Sequence, residues 1–257
     1  MKCRPEDSAE DGTRVVGGLN AVTAALKSRP RACRNLLLAD SRGAGPALTD
    51  LVNLARAAGL AVRRSPRSAL NRLYGRETHQ GVVAVFDPLD YTGLDDFLAA
   101  LPSSGPALIL ALDQVADPGN LGALMRSALA FGAAGVLVPR ERTAPLTPAA
   151  IRASAGAAES LPLVRVVNLR RALENLQKAA FWLVGAEGGG NQSLFDFNFP
   201  DRAVIVLGSE GRGLSPLLQK TCDFLVAIPQ RREAVSSLNV SVAGGVLMAE
   251  YCRQHRS

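Results

Sequence analysis

The chain has 257 residues, 47% of them hydrophobic and 20% charged, with a formal net charge of +6 and a mean hydropathy of +0.11. At about 150 residues per domain this length points to two domains with enough apolar surface to bury cores, which excludes disordered and collagen-like chains. Its longest apolar runs, such as Ala107 to Leu112, are far short of the ~20 residues a membrane span needs, and its four scattered cysteines form no CxxC pair that would indicate a disulfide scaffold or a zinc site.

Residues 1–12 are acidic, at net −2, and lack the apolar stretch of a signal peptide, so they are expected to be a disordered tail on a cytoplasmic protein. Residues 13–86 carry net +9 and are expected to form a small α/β domain. Asn20 to Lys27, Ala47 to Ala58 and Ser68 to Tyr74 have helical spacing, whereas Asn35 to Ala39 and Gly81 to Phe86 read as strands. Arg29, Arg31 and Arg34 precede a strand, and Arg63, Arg64, Arg67, Arg72 and Arg76 surround the third helix. Of the 29 basic residues 25 are arginines, whose planar forks suit phosphate. A GC-rich coding bias also yields arginine, but their crowding into the first third is the footprint of a module that neutralises a polyanion. His79, in a polar turn before a strand, is either an exposed loop histidine or an RNA contact.

Residues 87–105, with Pro88, Gly93, Pro102, Ser103, Ser104 and Gly105, read as a linker with one acidic helical turn. From residue 106 to 257, apolar strands at Ala107–Leu112, Gly135–Val138, Leu163–Val166, Phe181–Ala186, Ala203–Gly208 and Phe224–Ile228 alternate with helices. That pattern predicts a parallel sheet covered on both faces, with ligands at the carboxyl ends of its strands.

With only two histidines, most hydrolase triads and multi-histidine metal sites are excluded, and no metal is expected. Three stretches remain. Asp117 to Ala128 leaves a strand through a Pro-Gly turn, and Asn120 is expected to open a helix as its N-cap. In that helix Arg126 has small or apolar neighbours, and a buried, unpaired arginine is costly, so an anionic partner is expected. Val204 to Pro216 runs from a strand into a glycine-rich turn that carries Glu210, with Ser215 and Pro216 at the start of the next helix. Its glycine spacing is not that of a dinucleotide fingerprint, and the Gly185–Gly190 loop is equally weak by itself. From Ser236 or Ser237, a helix stays apolar or small on every side to Met248, which predicts burial in a core or a subunit interface.

Together DPGNLGALMRSA (Asp117 to Ala128), VLGSEGRGLS (Val206 to Ser215) and SSLNVSVAGG (Ser236 to Gly245) resemble the SpoU family of RNA ribose 2′-O-methyltransferases, of the SPOUT superfamily. VVGGLNAVTAAL near Val15 and HQGVVAV at His79 are similar to the substrate-binding domain of its ribosomal-RNA members. The resemblance implies a SPOUT-type parallel sheet with a C-terminal trefoil knot behind a small α/β RNA-binding domain. It implies S-adenosylmethionine as cofactor, a homodimer whose sites draw on both subunits, and RNA as partner. By the same resemblance Arg126, Asn120, Glu210, Ser237 and Asn239 are the catalytic positions, and Gly208, Ile228 and Leu238 contact the cofactor. Arg63, Arg64, Arg67, Arg72, Arg76 and His79 are the RNA-binding candidates. Glu210 is expected to hold the Arg126 guanidinium, and Gly208 to let a ligand approach closely.

The chain departs from the family pattern after Ile228-Pro229. Gln230 to Ala234 lacks the usual glycine and is one residue longer, with arginines that suit RNA or an organellar setting. The expected substrate is a guanosine ribose of large-subunit ribosomal RNA. A transfer-RNA ribose methyltransferase and a non-catalytic RNA-binding assembly factor are the alternatives, with a nucleotide-dependent oxidoreductase more distant.

Overall fold

The computed structural model describes residues 13–75, 79–230 and 237–255. The chain divides into two units, one of residues up to Asp90 together with Ala155–Ser160, the other of Tyr91–Ser154 and the chain from Leu161 onward.

The first unit runs β1 (Arg14–Gly17), α1 (Leu19–Ser28), β2 (Cys33–Ala39), α2 (Pro46–Ala57), β3 (Val62–Ser65), α3 (Arg67–Tyr74) and β4 (Val82–Phe86). Its sheet has the order β1-β4-β2-β3, with β4 antiparallel to both neighbours and β2 parallel to β3. Every residue of β4 is buried, as its unbroken apolar run requires. The apolar faces of α1 and α2 supply Val22, Leu26 and Leu51 to a core completed by Leu36, Val82 and Phe86. Arg34 lies within β2, where its Nε donates to Asp87 Oδ1 at 2.6 Å.

In the second unit α4 (Leu94–Ala100) precedes β5 (Ala107–Leu112), α5 (Pro118–Ala130), β6 (Gly135–Pro139) and α6 (Pro148–Ala153). The chain then supplies α7 (Ala157–Ser160) to the first unit and continues with β7 (Leu163–Val166), α8 (Leu169–Lys178), β8 (Trp182–Ala186) and β9 (Gln192–Ser193). It closes with β10 (Arg202–Leu207), α9 (Pro216–Thr221), β11 (Phe224–Ala227) and α10 (Val240–His255). The seven strands form one sheet, all pairs parallel, in the order β7-β6-β5-β10-β8-β11-β9. Among the described residues no helix is long and apolar enough to cross a membrane, and no three or more His, Cys, Asp or Glu gather as a metal site.

The expected linker at 87–105 is corrected. Thr92 bridges to Val164, and Phe97 of α4, only 3% exposed, sits in the core with Ile109, Leu137, Val164 and Leu173. Leu94, Leu98 and Leu101 pack around that core, so α4 belongs to the second unit, whose boundary falls after Asp90. The first unit, expected to end at Phe86, regains the chain at Ala155–Ser160. There Glu159 takes both Nη groups of Arg14, with the two side chains 1% and 9% exposed, while Ser28 Oγ donates to the Glu159 carbonyl at 2.5 Å.

Candidate active site

The sheet order creates the place for a site. From β5 the chain leaves through α5 to β6 on one side, and from β10 it leaves through α9 to β11 on the other, although β5 and β10 are paired neighbours. Loops diverge at such a switch point and leave a crevice at the carboxyl edge.

Helix α5 enters this edge. Its N-cap is Asp117, whose Oδ1 accepts the Asn120 N–H at 2.8 Å, and Pro118 holds the first helical position. Asn120 is therefore not the cap; its amide is free for another contact. Asn120 Nδ2 donates to Glu210 Oε1, and the same oxygen accepts Asn239 Nδ2 at 3.1 Å. Asn239 Nδ2 also reaches Asn120 Oδ1 at 3.1 Å. Asn239, rather than Ser236 or Ser237, caps α10: its Oδ1 accepts Ser241 N–H at 2.9 Å and Ser241 Oγ at 2.6 Å. Ser236 lies outside the described residues, and Ser237 is exposed ahead of the helix. Two helix N-termini thus meet around one carboxylate, the arrangement that helix dipoles favour.

Arg126 is not part of this network. It is exposed and makes no hydrogen bond or ion pair among the described residues, which corrects both the expected burial and the pairing with Glu210. It lies six residues beyond Asn120, about 9 Å farther along the helix at 1.5 Å per residue. Nor is α10 buried all round. Val240, Gly244, Leu247, Met248 and Tyr251 face inward, while Val242 is 50% exposed. A Cβ at Gly244 would stand 2.5 Å from Leu124 Cδ2 and 2.7 Å from Leu207 Cδ1, so glycine there lets α10 lie close on α5 and β10. Leu129 of α5 is also exposed, at 42%.

A cavity opens beside Glu210. Leu207, Val226, Leu238 and Val240 contribute apolar groups to its lining, and Glu187, Ser209, Gln230 and Ser237 polar ones. Gly208, Ile228 and Leu238 all line it. The reason for glycine at 208 differs from the expectation, because a Cβ there would lie 2.1 Å from the Gly213 carbonyl carbon and 2.3 Å from Leu214 N. It is the chain's own returning turn, with Ser209 and Gly213 exchanging backbone hydrogen bonds at 3.0 Å, that needs the space. Asp113, buried at the end of β5, accepts the Ser215 N–H at 3.3 Å and ties this turn to the neighbouring strand. Arg231 to Ala234 of the altered loop lie outside the described residues.

The RNA-binding candidates divide. His79 is fully buried rather than exposed, with Nε2 2.7 Å from Asn71 Oδ1 and Nδ1 accepting the Gly81 N–H at 3.0 Å. That pattern leaves Nε2 to carry the proton, and burial, helped by the charge of Arg67, pushes its pKa down. His79 is thus a structural group and not an RNA contact. Arg64 Nη1 lies 3.2 to 3.4 Å from the carbonyls of Ala39, Asp40 and Arg42 and closes the end of β2. Arg67 and Arg72 are exposed on α3, Arg63 is half-buried in β3, and Arg76 lies outside the described residues.

Comparison with known proteins agrees with this geometry. A profile described as "SpoU rRNA Methylase family" matches residues 107–249, and one described as "RNA 2'-O ribose methyltransferase substrate binding" matches residues 15–92. An uncharacterized tRNA/rRNA methyltransferase of Mycobacterium avium is 42% identical over 98% of this chain and 81% of its own length. The SpoU methyltransferase AviRb of Streptomyces viridochromogenes, solved with AdoMet, is 28% identical, with a TM-score of 0.76 over 95% of this chain and 90% of that one. An AdoMet-bound rRNA methyltransferase of Sinorhizobium meliloti is 27% identical, with a TM-score of 0.77 over 96% and 89%.

Proposed function

We propose, from the premise that this chain belongs to the SpoU rRNA Methylase family of S-adenosylmethionine-dependent RNA ribose 2′-O-methyltransferases, that its substrate is a guanosine of large-subunit ribosomal RNA. The observation that carries the reading is the convergence of Asn120, Glu210 and Asn239 at the switch point, beside a cavity lined by both apolar and polar groups. Such a cavity suits a purine nucleoside joined to an amino acid. Gly208, Ile228 and Leu238 would hold the cofactor, which when bound supplies a methyl group from its sulfonium. The substrate-binding match over residues 15–92 supports a large structured RNA, and the arginines of that unit support contact with its phosphates.

In this reading Glu210, Asn120 and Asn239 brace the carboxyl edge, and Ser237 faces the cavity to contact substrate. Arg126 contacts the substrate ribose or its phosphate. A guanidinium holds its proton too tightly to be an efficient base at neutral pH, so Arg126 fixes the 2′-oxygen rather than deprotonating it. Since Arg126, Leu129 and Val242 are all exposed, the reading places a second copy of the chain over α5 and α10, bringing Arg126 of one subunit to the site of the other. The strand order, with β10 inserted between β5 and β8, supports a knotted C-terminal segment.

Ribose methylation mapped across ribosomal and transfer RNA from cells lacking the protein tests the substrate. Loss of one methylated guanosine in large-subunit ribosomal RNA is expected. Loss confined to a transfer RNA would replace the proposed substrate with the second family substrate.

A further inference from the structure

Glu187 follows directly after β8, which is paired with β10, so it stands on the same carboxyl edge as Gly208. Its backbone is fixed on both sides: the N–H donates to the Val226 carbonyl at 3.0 Å, and its carbonyl accepts the Gly190 N–H at 2.9 Å. Oε2 accepts Gln219 Nε2 at 3.1 Å and the Leu214 N–H at 3.4 Å, and the same Gln219 amide reaches the Leu214 carbonyl at 3.0 Å. Oε1 accepts no hydrogen bond, and the carboxylate forms no ion pair, among the described residues. A Cβ at Gly213 would lie 2.9 Å from Oε2 and 3.3 Å from Oε1, and φ at Gly213 is +66°, so a glycine keeps the flank of this carboxylate clear. Glu187 lines both the cavity beside Glu210 and the adjoining one bounded by Ile228, Pro229 and Gln230.

A carboxylate held by one oxygen and open at the other is an oriented acceptor, and ligand atoms that only accept hydrogen bonds are repelled by it. Of the groups on S-adenosylmethionine, the ribose hydroxyls, the adenine 6-amino group and the amino-acid ammonium can donate, and of the neutral ones an O–H makes the shorter, stronger bond to a carboxylate. Leu207, Val226, Leu238 and Val240 line the cavity with Glu187, and a nucleoside packs against such neighbours more readily than a hydrated ammonium does. We infer that Glu187 is a cofactor-recognition residue whose Oε1 accepts a hydrogen bond from a ribose hydroxyl of S-adenosylmethionine. The inference rests on the cavity being the cofactor site.

Calorimetric titration of the full chain and of Glu187→Gln with S-adenosylhomocysteine, and with its 2′-deoxy and 3′-deoxy analogues, tests it. A hydrogen bond to a charged group is worth roughly tenfold or more in affinity. Glu187→Gln is expected to weaken S-adenosylhomocysteine about tenfold, with no further loss for the analogue that lacks the contacting hydroxyl. Equal losses for all three ligands would overturn the inference, because a clamp on the Gly213 turn, an adenine 6-amino contact or an ammonium contact gives that result; so would no loss for any. If the unaltered protein binds none of them, the cofactor-site reading itself falls, which is distinct from binding without coupling. Glu187→Ala, which removes the acceptor altogether, is expected to show the same coupling with a larger loss.

Discussion

The two units put similar polar side chains to opposite uses. In the first, the chain itself engages both Nη groups of Arg14 through Glu159, Nη1 of Arg64 through three carbonyls at the end of β2, and both ring nitrogens of His79 through Asn71 and Gly81. In the second, Asn120, Glu210 and Asn239 gather from three distant segments on an open edge, and Arg126 stays exposed with no partner among the described residues. A charged or titratable residue is thus better judged for recognition by the bonds its own chain leaves unfilled than by its abundance.

The largest effect expected from this contrast is in the first unit. Arg14→Ala leaves Glu159 as an uncompensated buried charge and should cost about 3–5 kcal/mol in urea unfolding; adding Glu159→Gln should recover part of the loss. An unchanged midpoint would mean the pair is not the fastening described. In the second unit, Arg126→Ala should lower turnover by about 10²–10³-fold, the scale of losing one oriented donor, while RNA affinity in filter binding stays nearly the same. Unchanged turnover would return Arg126 to the surface. A smaller effect separates two nearby arginines. Arg67→Ala should reduce the salt dependence of RNA binding by roughly 0.7–0.9 in log–log slope, one phosphate contact, whereas Arg64→Ala should leave the slope alone and lower stability. Equal slope changes in both would erase the distinction.

The smallest is a pH effect. Burial and Arg67 hold the His79 pKa below the 6.5 of an ordinary histidine, so in that range the unfolded chain binds a proton the folded chain refuses. Its contribution is whole above about pH 6.5, declines as pH falls beneath that value, and levels off once the folded imidazole is itself protonated. The urea midpoint should therefore fall on acidification, and less steeply in His79→Gln. A parallel decline in both proteins would show that His79 is not the group responsible.

The parallel strands were legible because each is a continuous apolar run, and all six expected ones begin and end within one residue of the structure. By contrast β3, with Val62-Arg63-Arg64-Ser65, has no such run, and β1 is only four residues long. Helix α4, between Gly93 and Pro102, reads in the sequence as a single acidic turn of a linker, because chain-breaking residues outweigh a short apolar face around Phe97. At the site, the motifs put Asn120, Glu210 and Asn239 on one edge, but the pairing of their side chains depended on Asp117 taking the cap and on which way α10 turned. His79 was misread because the polar residues beside it in sequence gave no sign that Asn71, eight positions away on α3, is its partner. Glu187 had only the weak signal of a glycine-rich loop, and its hold on Leu214 and Gln219 crosses strands.

The bond between Arg14 and Glu159 spans 145 positions of chain. At the ribosome's pace of about 5–20 residues per second, Arg14 waits roughly 7–30 seconds for its counterion to be made. The first unit therefore emerges first yet is finished late. A fragment cut after Asp90 would carry an arginine whose carboxylate was never synthesised, so the amino-terminal body is not a detachable module, and part of its maturation is timed by translation of the segment that follows.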